Sequence, residues 1–118
     1  MTDTWPTELR VRDSGRSLAI TFDDGLSGVI SAELLRVESP SAEVRGHGPG
    51  QEQLVHGKRN VVISRLEPVG NYAVRIIFDD GHSTGIYTWT YLRKLSVDAE
   101  ALFAAYEAKL ADAGVGRG

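Results

Sequence analysis

The sequence predicts an α+β fold: a small, mostly antiparallel β-sheet built from hairpins, with two short helices and a longer C-terminal helix. Three observations carry this expectation. Short stretches alternate apolar with polar residues and are joined by glycine-containing turns, the pattern of hairpins. The segment FDDGLSGVISAELLR at residues 22–36 returns as FDDGHSTGIYTWTYLR at residues 78–93, with one extra residue in the second copy. Toward the C-terminus, Leu102, Phe103, Tyr106 and Leu110 fall on one face at helical spacing.

The elements follow in order. Residues 8–12 and 17–22 alternate in polarity, and Asp13-Ser14-Gly15 between them supplies turn chemistry, giving a first hairpin. Phe22-Asp23-Asp24-Gly25 leads into a strand over 26–31, because glycine accepts the positive φ that a tight turn requires. A short helix is expected over 32–36. Periodicity is lost over 38–60, where Pro40, Pro49 and glycines 46, 48, 50 and 57 mark a long loop. Order resumes with a strand over 61–66, a Pro68-Val69-Gly70-Asn71 turn, and a strand over 72–78 rich in β-branched and aromatic residues. After the second Asp-Asp-Gly turn come a strand over 85–88, a helical turn or two over 89–95, and the longest helix over 98–113. Ser96 is positioned to cap that helix and Gly114 to end it, with the 115–118 tail frayed. Each repeat copy reads strand, turn, strand, short helix ending in Leu-Arg. Leu35 and Leu92 are expected to pack on a shared sheet while Arg36 and Arg93 face outward.

A chain of 118 residues, 42% hydrophobic and 25% charged, has length for one core and not two. Residues 1–95 read as the body of that domain and 96–118 as its C-terminal helix and tail. No run is long and apolar enough to span a bilayer, and the N-terminal residues carry no secretory pattern, so the expected compartment is the cytoplasm and no membrane partner is expected. The chain has no cysteine, which removes disulfides, thiolate nucleophiles and cysteine-ligated zinc or iron–sulfur clusters. A net charge of −3 with scattered Lys and Arg offers no basic stripe for nucleic acid.

Motifs that carry chemistry elsewhere lack their context here. Gly81-His82-Ser83-Thr84-Gly85 matches G-x-S-x-G but reads as a hairpin turn, and no histidine follows the serine. Gly46-His47-Gly48-Pro49-Gly50 contains a proline where a phosphate-cradling loop needs donors, and Arg59 stands where a P-loop needs Ser or Thr. Asp23-Asp24 and Asp79-Asp80 are adjacent pairs, which point apart on a strand and suit turns better than acid–base work. His47, His56 and His82 lack the spacing of a metal site. Tyr72, Tyr87, Trp89 and Tyr91 divide between core and interface roles.

LLRVESPSAEVRGHG (residues 34–48), GKRNVVI (57–63) and EPVGNYAVRIIFDDGHSTGIYTWTYLRKL (67–95) together resemble the gamma-butyrobetaine hydroxylase-like N-terminal domain family. In carnitine-biosynthesis dioxygenases, that resemblance implies, such a domain precedes a separate iron- and 2-oxoglutarate-binding catalytic domain and carries zinc on three cysteines and a histidine. The corresponding positions here are Ser39, Ser41, Val44 and His82, so the resemblance implies a degenerate zinc site and argues against bound metal. Similar domains attached to Mrp-type ATPases imply an accessory role in iron–sulfur cluster delivery or in docking a client enzyme. The expectation is therefore a non-enzymatic adaptor, without cofactor, that binds a protein partner through the second Asp-Gly turn and the 39–50 loop. His82, Arg45, His47 and Tyr87 are the residues expected to line that surface. The alternatives are a small-ligand site in which aromatics cage a quaternary ammonium, a metal-binding accessory domain, and a homodimer formed through the C-terminal helix.

Overall fold

The computed structural model describes residues 5–40 and 55–117. Its elements are β1 (Pro6–Arg12), β2 (Ser17–Phe22), β3 (Ser27–Ser31), α1 (Ala32–Val37), β4 (Ile63–Val69), β5 (Ala73–Phe78), β6 (Ile86–Thr88) and α2 (Trp89–Ala113). The strands form two antiparallel three-stranded sheets, ordered β1-β2-β3 and β4-β5-β6. The fold is α+β, as expected, but with two small sheets in place of one.

The internal repeat runs further than the sequence motif. The register slips at the same place in each first strand, between Pro6 and Glu8 in β1 and between Ile63 and Arg65 in β4. Ile20 lies opposite Gly28, and in the second sheet the Ile76 N–H donates to the Gly85 carbonyl. Phe22 N–H reaches the Leu26 carbonyl at 2.8 Å, and Phe78 N–H reaches that of His82 at 3.0 Å. Ser31 caps α1 by accepting from Leu34 N–H, and Thr88 caps α2 by accepting from Tyr91 N–H. Beyond the second turn the equivalent positions are separated by one residue more than before it. This places the extra residue of the second copy, Thr84, between Ser83 and Gly85.

Alternation along each strand decides what is buried. Leu18, Ile20, Phe22 and Ile30 of the first sheet join Ile63, Val74, Ile76, Phe78 and Tyr87 of the second in one core. Leu34, Leu35, Leu92, Leu95, Tyr106 and Leu110 close it from the helices. Burying a Leu- or Phe-sized side chain stabilises by roughly 1.5–3 kcal/mol, so this contiguous set dominates the fold energetics. The outer face of the second sheet carries a charged trio, Glu67 between Arg65 and Arg75, beside the exposed Ile86.

Three expectations need correction. The helical turns over 89–95 and the helix over 98–113 are one 25-residue helix, so α1 is the one short α-helix in the described residues, beside a single 3-10 turn at Asp13–Gly15. Nothing between Leu95 and Ala99 breaks a helix, and the apolar face continues through Leu92, Leu95, Tyr106 and Leu110. Thr88 is therefore the cap, and Ser96 lies inside the helix, facing Gly28. Secondly, β4 extends through Pro68 and Val69 as an edge strand, where proline is tolerated, and the turn falls at residues 70–72. Thirdly, the tail is anchored: Val115 N–H donates to the Leu110 carbonyl and Arg59 N–H to that of Arg117. Gly114 ends α2 at φ 71° as expected.

Candidate functional site

The second Asp-Gly turn, residues 79–85, is held more tightly than its counterpart at 23–26. Asp80 accepts from Arg36 at 2.8 Å and from Lys58 at 2.7 Å, and its other oxygen accepts from the His82 N–H at 3.0 Å. Burial alone would raise the Asp80 carboxyl, but the donors from Lys58, the His82 backbone and Arg36 outweigh it and hold the pKa at about 2. Asp79 accepts from Val62 N–H at 3.0 Å, tying the turn to the start of β4. In the first turn Asp24 accepts from both Nη atoms of Arg93, at 3.2 and 2.6 Å, and from the Leu26 N–H. The Arg93 bonds come first in keeping the Asp24 carboxyl below its ordinary range.

These bonds cross between the two units. Arg36 and Arg93, equivalent in the repeat, each grip the second aspartate of the other unit's turn, instead of facing outward alone. The same crossing appears in the glycines. A methyl group on Gly85 would lie 2.5 Å from Ser39 Oγ and 3.0 Å from the Tyr87 ring, and one on Gly28 would lie 3.2 Å from Ser96 Cβ. Ser39 and Ser96 occupy the same repeat position, three residues beyond Arg36 and Arg93. Each unit's serine thus seats on the other unit's glycine, and no side chain fits between Gly85 and Ser39.

His82 and Ser39 form the centre of the site. Ser39 Oγ and His82 Nε2 share a hydrogen bond at 2.9 Å, with Ser39 fully buried and His82 only 5% exposed. The Phe78 ring lies 6.1 Å from the imidazole. Tyr87, fully buried, donates its hydroxyl to the Leu35 carbonyl, and Tyr91 donates to that of Glu38 at 2.5 Å. These two phenols fasten the C-terminal end of α1, from which Ser39 emerges, and they satisfy carbonyls that a helix end leaves unpaired. In the first unit Leu26 stands where His82 stands, and there Ser96 Oγ is buried without a hydrogen-bond partner.

Of the four residues expected to line a partner surface, His82 and Tyr87 are brought together but lie inside the protein, so they can only position what surrounds them. Arg45 and His47 lie outside the described residues. Of the four positions that the family resemblance aligned with zinc ligands, Ser39 and His82 are adjacent, while Ser41 and Val44 lie outside the described residues. The donor set does not fit zinc: a hydroxyl is a poor substitute for a thiolate, and it already engages the imidazole nitrogen that would ligate. Among the described residues no three His, Asp or Glu side chains converge on a possible metal position.

The other sequence readings find their places. Gly81 to Gly85 lie in the turn between two strands, not at a strand-to-helix elbow, so Ser83 is no activated nucleophile. The aromatics form no exposed cage: Tyr87 is core, and the Trp89 indole N–H is committed to the Asn71 carbonyl at 2.9 Å. No helix of the described residues is long and apolar enough to cross a membrane. Sequence reasoning missed the Arg36–Asp80–Lys58 cluster. The repeat held the signal, since two Leu-Arg endings and two Asp-Asp-Gly turns invite reciprocal pairing.

The comparisons agree with this fold. The model of the family described as gamma-butyrobetaine hydroxylase-like, N-terminal, matches residues 9–93. A solution structure 45% identical in sequence superposes with a TM-score of 0.83, covering 99% of this chain and 90% of that one. Another solution structure, 40% identical, has a TM-score of 0.85 and covers 98% of this chain and 91% of that one. A crystal structure of a protein of unknown function from Acidithiobacillus ferrooxidans is 41% identical, with a TM-score of 0.65 over 77% of this chain and 91% of that one. No curated protein matches the chain. With well over half its length matched by the family model and solved relatives at this identity, the chain belongs to the gamma-butyrobetaine hydroxylase-like N-terminal family.

Proposed function

We propose that this domain is a non-enzymatic adaptor that binds a protein partner at the rim of the second Asp-Gly turn. The observation that supports it is the difference between two equivalent turns. Among the described residues the first is held by Arg93 alone of the side-chain cations, whereas the second is held by Arg36, Lys58 and the buried Ser39–His82 pair. Extra bonds that lock a turn while Asp79, Gly81 and Thr84 remain exposed at its tip preorganise a recognition surface, which reduces the entropy lost on binding. His82 and Tyr87 serve this surface from beneath, and Arg45 and His47, which lie outside the described residues, are proposed as further contacts with the partner. Family resemblance suggests a role accessory to iron–sulfur cluster delivery or to docking on a client enzyme, and the cytoplasm is the proposed compartment.

The test is recovery of partners by the tagged protein from its own cell extract, compared with an Asp79→Lys/Thr84→Lys/Arg45→Ala variant. Both turn substitutions fall on exposed residues; Asp79→Lys also gives up the bond to the Val62 N–H, so an unchanged fold is checked by circular dichroism before recoveries are compared. Selective loss of one reproducible partner from the variant is the expected result. Equal recovery by both proteins removes the turn as the contact surface.

A further inference from the structure

We propose that the groove between α1 and α2 docks a basic, amphipathic segment of a partner protein. This deepens the adaptor reading by naming a second surface and the chemistry of its occupant, and the groove shares no residue with the second turn. About 300 Å³ in volume, it is lined by Leu34, Ala99, Phe103 and Ala104, with Glu100 and Glu107 on its flanks. The α2 residues fall at 99, 100, 103, 104 and 107, which is one continuous strip of helix surface. Two alanines in that strip keep the floor low, leaving room for leucine-sized side chains against Phe103 and Leu34.

Charge selects the occupant. Glu100 and Glu107 are exposed and engage in no ion pair among the described residues. Seven residues apart, they stand about 10 Å from each other along the helix. From Ala99 to the helix end, α2 carries Glu100, Glu107 and Asp112 against Lys109 alone. An apolar trough with carboxylates on its borders favours Arg or Lys beside an apolar stripe and repels an acidic segment.

The chain itself displays this recognition at the same place. Arg117 binds Glu33 in bidentate fashion, at 3.0 and 2.7 Å, and its guanidinium lies 4.9 Å from the centroid of Phe103. Phe103 is therefore both a wall of the groove and a platform for a guanidinium. Glu33 bonds head the causes that raise the Arg117 pKa, and Glu107 adds to them, so the region's field is negative toward a cation. With Arg117 in place Glu33 is already neutralised, so a partner's arginines would meet the carboxylates of Glu100 and Glu107 on the groove side.

The experiment is an amide-shift titration of the ¹⁵N-labelled full chain with a capped, alanine-based helical peptide. The peptide carries a leucine face flanked by two arginines seven positions apart, and a control replaces both arginines with glutamate. Saturable shifts at Leu34, Ala99, Phe103 and Ala104, with a Kd of roughly 10–300 μM that weakens with added salt, are expected. The Glu100→Lys/Glu107→Lys variant, checked for an unchanged fold by its spectrum, should bind at least about fivefold more weakly. No shift at millimolar peptide, an equal response to the glutamate control, or shifts away from the groove would overturn the proposal. The turn variant Asp79→Lys/Thr84→Lys should bind the peptide normally, so failure of the groove and failure of the turn remain distinguishable.

Discussion

Arg36 at the end of α1 donates to Asp80 in the second unit at 2.8 Å, and this bond has a mirror in Arg93 and Asp24. The two units are thus laced together by reciprocal arginine–aspartate pairs drawn from equivalent positions. The pairs differ in their setting. Arg36 and Asp80 are mostly shielded from solvent, whereas Asp24 is substantially exposed. A shielded, charge-assisted bond contributes more than an exposed one, because water and salt screen it less.

A double-mutant cycle on Arg36→Met and Asp80→Asn, read by urea unfolding, should give a coupling of about 1–2 kcal/mol. The matching cycle on Arg93→Met and Asp24→Asn should give a distinctly smaller coupling that fades with salt. Equal couplings would show that shielding does not separate the pairs.

Acid stability should report Asp80. Its folded pKa of about 2 lies below the ordinary carboxylate value of 3.8. A depressed folded value means that the stabilisation is complete above the ordinary value and is lost as pH falls from about 4 toward 2. Allowing for solvent screening, the loss is about 1 kcal/mol. Urea midpoints at about pH 5 and about pH 2 should differ less in Asp80→Asn than in the unaltered protein. The same difference in both would exclude Asp80 as the source.

Ser39 and Ser96 are equivalent in the repeat but unequal in partnership. Ser39→Ala removes the buried hydrogen bond to His82 Nε2, an expected loss of about 1–2 kcal/mol. Ser96→Ala removes a buried hydroxyl that has no partner, so its effect should be neutral or slightly stabilising. Thermal unfolding of the two variants decides the matter, and a larger loss at Ser96 would contradict the asymmetry between His82 and Leu26.

The C-terminal tail should matter more than its position suggests. Arg117→Ala strands the 4%-exposed Glu33 carboxylate without its guanidinium and uncovers Phe103. A loss of about 2–3 kcal/mol is expected by chemical denaturation. Arg117→Lys should recover only part, since an ammonium cannot make the bidentate contact. An unchanged midpoint in Arg117→Ala would mean that the tail is not fastened in solution.

Much of the fold was legible before any coordinates. β2 matches the expected span at both ends, and α1, β5 and β6 fall within one residue of theirs, because alternation and Asp-Gly turns are local signals. The break expected near Ser96 was not legible as false. Ser-Val-Asp resembles a cap, and only the continuous burial of Leu92, Leu95, Tyr106 and Leu110 along one face keeps the helix whole. The site was half legible. His82 stood out through the family resemblance, but its burial depends on Phe78, Ser39 and the end of α1, which no local pattern brings together.

By itself the sequence determined the α+β class, the hairpins, the duplicated unit and the family, since each is written in spacing and residue type along the chain. Tertiary structure alone decided that the two units cross-link through Arg36–Asp80 and Arg93–Asp24, that each serine seats on the other unit's glycine, and that Arg117 closes over Glu33. These contacts join residues 44 to 84 positions apart. Their existence depends on how two sheets and two helices pack around one core, which is a property of volume and burial rather than of local propensity.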